Sequence, residues 1–109
     1  MQLNMTGRHI DISDAMRDYS QGKVDKLARY YDRITSVDVI CEQEASRYRV
    51  EMVVRADHKH TFVAHVDASE FYEAVDLLVD KMGRQLTDHK DKVRNRKHSK
   101  TGLRMPEAE

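Results

Sequence analysis

Nine cationic side chains crowd one short stretch of this sequence. Between residues 81 and 104, Lys81, Arg84, Lys90, Lys92, Arg94, Arg96, Lys97, Lys100 and Arg104 stand against only Asp88 and Asp91, a local net charge of +7. Clustered ammonium and guanidinium groups are the chemistry of polyanion recognition, because each can neutralise a phosphate and release its condensed counterions. A helix end also attracts cations through its dipole, but that effect reaches only the last turn and does not need nine of them. The rest of the chain runs the other way. Residues 1–80 hold ten basic and fifteen acidic side chains, a net of −5, and Glu107 and Glu109 bring the total to zero. The neutral sum therefore conceals an acidic body with a strongly basic end.

Other chemistry is hard to assemble. The P-loop, the dinucleotide-binding glycine pattern and the G-x-S-x-G elbow are all missing, so the sequence predicts a protein that is not an enzyme. The lone cysteine, Cys41, excludes an internal disulfide framework and Cys-rich zinc modules, and points to a reducing compartment. It sits on the apolar side of a strand pattern, which suits packing better than nucleophilic attack. His58 and His60 flank Lys59 in a turn, a weak chelating pair at best, and His89 falls on an apolar helical stripe, where packing is the simpler role. No metal, cofactor or small-molecule substrate is expected. No apolar run approaches the roughly 18 residues of a membrane span, and the first 20 residues lack a signal-peptide core, which predicts a cytoplasmic protein with no membrane partner.

The elements that must position the cations are legible from periodicity. The 109 residues, 39% apolar and 35% charged, suit one small domain with a heavily solvated surface. Residues 2–8 alternate around Leu3 and Met5 as a first strand. Ser13 caps a helix expected to run to about Asp32, with an apolar stripe of Met16, Tyr19, Val24, Leu27, Tyr30 and Tyr31. Residues 34–44, 47–56 and 60–68 each alternate, through Val37, Val39 and Cys41, then Tyr48, Val50, Met52 and Val54, then Phe62, Ala64, Val66 and Ala68. Their short links predict an antiparallel meander, and the helix between the first two strands predicts a parallel pair there. Ser69 is expected to cap a long second helix with a core stripe of Phe71, Tyr72, Val75, Leu78, Val79, Met82, Leu86, His89 and Val93. Past Lys90 cations appear on every side, so the last turns are expected to project beyond the core. The order β-α-β-β-β-α defines an α+β two-layer domain, a four-stranded sheet with two helices on one face.

That arrangement suggests how an RNA backbone would be held. Aromatic residues make up only 6% of the chain, and most fall on core stripes. The outer sheet face offers Arg47, Arg49, Thr61 and His65 rather than stacking aromatics, so phosphate and shape contact with structured RNA fits best. The flank of helix one bearing Lys23, Lys26, Arg29 and Arg33 would lie near the side of helix two bearing Lys81, Arg84 and Lys92, and the two strips would form a basic groove. A second reading is a protein-interaction module, in which Arg47, Arg49 and Arg55 meet an acidic partner.

Several segments are familiar. Phe71-Tyr72-Glu73-Ala74-Val75-Asp76, Asp80-Lys81-Met82, Arg84-Gln85-Leu86 and His89-Lys90-Asp91-Lys92 resemble the second helix of the bacterial ribosome hibernation-promoting factor and ribosome-associated inhibitor family. The N-terminal run Met1 to Arg8, then Asp11-Ile12-Ser13, then Lys26-Leu27-Ala28-Arg29-Tyr30-Tyr31-Asp32 is similar to the same family, so the resemblance covers about residues 1–97. It implies a β-α-β-β-β-α fold related to double-stranded RNA-binding domains. It implies binding to the small (30S) ribosomal subunit in the mRNA and tRNA channel, with inhibition of translation in stationary phase. Carried over, the contacts to 16S rRNA fall on Lys23, Lys26, Arg29, Lys81, Arg84, Lys90, Lys92, Arg94 and Lys97, with Lys26, Arg84, Lys90 and Lys92 matching best. The resemblance further implies a ribosome-binding domain over residues 1–97 and a short flexible tail over 98–109. The tail is too short for a second dimerisation domain. Its few acids favour the type that promotes inactive ribosome dimers over the inhibitor type that holds single ribosomes. A general structured-RNA-binding module is the remaining alternative, and the free protein is expected to be monomeric.

Overall fold

The computed structural model describes residues 2–99, without the side chains of His58 and of residues 93–99. Four strands, β1 (Gln2–Arg8), β2 (Ile34–Glu44), β3 (Arg47–Ala56) and β4 (His60–Ala68), form one sheet in the order β1-β2-β3-β4. β1 runs parallel to β2 with Leu3 opposite Val37, and β2, β3 and β4 are antiparallel neighbours with Val39 opposite Met52 and Val50 opposite Val66. The strand limits and pairing follow the alternation in the sequence, because a one-residue slip would turn each apolar set to water. Val37, Val39 and Cys41, then Val50, Met52 and Val54, then Ala64 and Ala68 are buried against Val24 and Leu27 on one helical segment and Ala74, Leu78, Met82 and Leu86 on the other. Both helices therefore cover the same face.

Two turns show what the sheet demands of its connections. A Cβ at Gly7 would lie 2.2 Å from the Ile10 carbonyl oxygen, so only glycine lets the chain fold back so closely after β1. In the two-residue link between β2 and β3, Ala45 takes φ 56°, the left-handed value that the first position of a type II′ hairpin turn requires.

Helix α1 (Asp14–Asp25) starts as expected: the Ser13 hydroxyl accepts from the Met16 N–H at 3.1 Å. It ends earlier than its apolar periodicity suggests. After Asp25 the chain tightens into a 3-10 turn, Lys26–Arg29, and the Tyr30 N–H donates to the Leu27 carbonyl at 3.0 Å. A 3-10 turn advances about 120° per residue rather than 100°, so four residues add roughly 80° of twist. Leu27 and Tyr31 keep their places in or beside the core, while Tyr30, expected on the apolar stripe, is rotated out and is 44% exposed. Helix α2 (Phe71–Ser99) begins one residue later than a Ser69 cap would give, with the Glu70 carbonyl accepting from the Ala74 N–H at 3.0 Å. Tyr72 is likewise displaced from the expected stripe. It is 41% exposed, and its ring packs edge-on against Tyr19 at 4.9 Å and Phe71 at 5.3 Å.

α2 crosses the sheet antiparallel to β4 and outruns it. His89 meets His60, the first residue of β4, with ring centroids 4.5 Å apart, and also contacts Tyr31 and Phe62 as a half-buried packing residue. The ten helical residues beyond His89 extend about 15 Å further. Of the tail expected from residue 98, only His98 and Ser99 fall among the described residues, and both are helical; residues 100–109 lie outside them.

Candidate nucleic-acid interface

The cations singled out by the sequence differ sharply in their surroundings. Lys23 faces α2, where its ammonium lies 3.4 Å from the Asp76 carboxylate and 5.4 Å from the centre of the Tyr19 ring. The Tyr19 hydroxyl donates to the same carboxylate at 2.6 Å. Asp76 thus holds Lys23 and Tyr19 both above their ordinary pKa ranges, chiefly through these hydrogen bonds. The cluster joins the two helices.

Lys81 lies on the opposite flank of α2. Its ammonium donates to the His65 carbonyl at 3.2 Å, and Gln85, one turn on, donates to the Val63 carbonyl at 2.9 Å. Both carbonyls belong to the outer edge of β4, so these side chains occupy acceptors that an edge strand would otherwise offer to another chain. The expected groove, with Lys81 facing helix one, is not what forms. Helical periodicity puts Lys92, three turns beyond Lys81, on this same outer flank, and Lys90, two turns beyond Gly83, on the flank toward α1.

Lys26, Arg29, Arg84, Lys90 and Lys92 are exposed, and none joins the ion pairs found among the described residues. The 3-10 turn carrying Lys26 and Arg29 ends at Tyr30, whose ring lies over Gly83 beside Arg84. The structure therefore brings the basic end of the first helical segment against the middle of α2, where the overrunning basic end of α2 begins. The side chains of Arg94 and Lys97 lie outside the described residues. Arg33 sits 4.0 Å from Asp57, a distant surface pair.

The outer sheet face has a different character. Arg55 pairs with Asp38, which also accepts from Asn4 at 3.1 Å, and Arg49 donates to Asp67 at 3.0 Å. Arg55, and then Asn4, hold the Asp38 carboxyl below the usual carboxylate range, and Arg49 does the same for Asp67. Two of the three arginines that would have met an acidic partner are already paired with acids. Cys41 is buried, and desolvation pushes its thiol up to about 11, a packing residue with little thiolate at neutral pH. Among the described residues no group of three or more His, Cys, Asp or Glu is arranged to hold a metal ion.

Sequence reasoning missed the exposure of Tyr30. The adjacent pair Tyr30-Tyr31 held only a partial signal: neighbours on a helix lie about 100° apart, so a pair spans the full width of an apolar stripe and a small change of twist turns one of them out.

Fold and surface together define a small two-layer α+β domain in which one group of exposed cations, outside the ion pairs found among the described residues, lies around one projecting helix. The family model described as Sigma 54 modulation protein / S30EA ribosomal protein matches residues 3–94, and the chain belongs to that family. It is 41% identical over 92 residues to the ribosome hibernation promoting factor of Azotobacter vinelandii, covering 84% of this chain and 85% of that one. It is 36% identical over 94 residues to the protein of the same name from Escherichia coli K12, covering 86% and 98%. Among solved structures, a ribosomal subunit interface protein from Coxiella burnetii superposes with a TM-score of 0.78 at 28% identity, covering 84% of this chain and 99% of that one. The N-terminal domain of Protein Y from Thermus thermophilus gives 0.76 at 27% identity, covering 82% and 99%. The resemblance drawn from the second-helix segments is borne out.

Proposed function

We propose that this chain is a ribosome hibernation factor. In this reading it binds the small ribosomal subunit in the mRNA and tRNA channel through 16S rRNA, stops translation in stationary phase, and promotes the pairing of ribosomes into inactive dimers. It acts in the cytoplasm by occupying a site, without a catalytic step or a cofactor, and is monomeric when free. The family and its hibernation-factor relatives support the biological role.

The observation that carries the molecular reading is the set of exposed cations, Lys26, Arg29, Arg84, Lys90 and Lys92, which join no ion pair among the described residues and stand around the point where α2 leaves the sheet. Open ammonium and guanidinium groups on a rigid helix can meet phosphates without first breaking an ion pair. Arg94 and Lys97 extend the same series along α2. Lys23 and Lys81 take a lesser part, since both already have protein partners. Phosphate contacts fix position, and the shape of the projecting helix selects the channel over arbitrary duplex RNA.

A sucrose-gradient profile of bacterial ribosomes mixed with the purified chain, at low and moderate salt, tests this. The chain is expected to travel with 30S subunits and ribosomes, to be released as salt rises, and to raise a ribosome-dimer peak. Co-migration without that peak would assign the inhibitor type. A chain left at the top of the gradient at both salts would overturn the reading.

A further inference from the structure

The 3-10 turn that rotates Tyr30 out of the core also builds a notch. Tyr30, Asp80, Gly83, Arg84, Thr87 and Asp88 line a depression of about 320 Å³ between that turn and α2. One side of the Tyr30 ring rests on the helix: a Cβ on Gly83 would stand 3.2 Å from its Cε2 and 3.5 Å from Cδ2 and Cζ. The absence of a side chain at Gly83 thus lets the ring lie close against α2, while 44% of the residue remains exposed. Among the described residues the Tyr30 hydroxyl makes no hydrogen bond. By contrast, Tyr72 is held edge-on between Tyr19 and Phe71.

The chemistry of the lining is mixed in an informative way. Two carboxylates, Asp80 and Asp88, stand beside one guanidinium, so the notch itself is a poor phosphate site. Carboxylates are instead good acceptors for the amino and imino N–H groups of a base or a ribose 2′-hydroxyl. An aromatic ring gives a stacking surface to any base, and Arg84 at the rim can reach the adjoining phosphate or stack as well. Lys26 and Arg29, on the turn that ends at Tyr30, supply further charge for the flanking backbone.

We propose that this notch holds one unpaired nucleobase of RNA, stacked on Tyr30, with Asp80 and Asp88 accepting from its N–H groups or ribose and Arg84 on the neighbouring phosphate. The proposal rests on the ribosome-binding reading above and adds a stacking contact to its phosphate contacts. It makes Tyr30 a binding residue.

The chain has no tryptophan, so Tyr30→Trp places a single reporter in the notch. With purified 30S subunits, this variant is expected to lose tryptophan emission on binding, as the indole stacks on a base. Tyr30→Leu, checked for an unchanged unfolding midpoint, is expected to lose about 10-fold in affinity. Binding of Tyr30→Leu within twofold of the parent, or Tyr30→Trp emission that stays unquenched in the bound state, would overturn the proposal. If the parent chain itself fails to bind 30S subunits, the hibernation reading falls separately. The notch is then judged with a short mixed-sequence single-stranded RNA: quenching of Tyr30→Trp supports it, and no quenching overturns it.

Discussion

A lysine already held 3.4 Å from a carboxylate has less to offer a phosphate than an arginine open to solvent, and by that measure Lys23 and Arg84 are different residues. Formal charge could not separate them, because the partner of Lys23 is Asp76, more than fifty residues away. Ser20 shows the same dependence on tertiary context. It is 1% exposed, and its hydroxyl has no hydrogen-bond partner among the described residues, although its helix position bears no apolar signal. Ser20→Ala removes an unsatisfied polar group and improves helix propensity, so it should raise stability by about 1 kcal/mol in urea unfolding and leave ribosome binding unchanged. On the outer sheet face, Asp38 and Asp67 are held below the usual carboxylate range by Arg55 and Arg49. A depressed folded-state value means stability present above the unfolded pKa of about 3.9 and lost as pH falls through the folded value. Urea midpoints measured from pH about 5 downward should therefore fall less steeply in Asp38→Asn/Asp67→Asn than in the parent chain. An equal slope would show that these surface pairs contribute nothing to acid sensitivity.

The elements were legible to different degrees, for physical reasons. All four strands announced their limits because side chains alternate with a period of two and one face of the sheet is buried, so Val37, Val39 and Cys41 leave no freedom of register. The end of α1 was hidden. Tyr30 and Tyr31 continue a helical apolar pattern, while the backbone has already tightened at Lys26, letting Leu27 and Tyr31 reach the core and the chain turn toward β2. The exposure of Tyr72 and the pairing of Lys81 with the β4 edge arise only once α2 lies on the sheet. The candidate site divides in the same way: its cationic residues could be read from composition, but which of them stay free could not. One local rule is broken at the β2–β3 hairpin, where Ala45 takes a left-handed φ that costs a residue with a Cβ about 1–2 kcal/mol. Ala45→Gly relieves that strain against a smaller entropic cost. It should raise stability by about 0.5 kcal/mol, seen as a higher urea midpoint with an unchanged denaturant slope.

At the scale of the whole molecule, the neutral total of the chain and its basic end belong to one design. Asp76, Asp67 and Asp38 pair with Lys23, Arg49 and Arg55, while Lys26 and Arg29 of the 3-10 turn and Arg84, Lys90 and Lys92 of α2 join no ion pair among the described residues. Such a molecule would bind RNA through a localised strip, with the shape of the projecting helix doing the selecting, while its zero net charge limits indiscriminate attraction to nucleic acid. The central claim is that this strip, and not the sheet face, meets the ribosome. The direct measurement is the affinity for 30S subunits across a salt series, for the parent chain and for an Arg84→Ala/Lys90→Ala/Lys92→Ala variant. The account predicts that the logarithm of the parent affinity falls linearly with the logarithm of salt, and that the variant binds more weakly with a slope shallower by about two to three. A variant that keeps the affinity and the salt slope of the parent would contradict it.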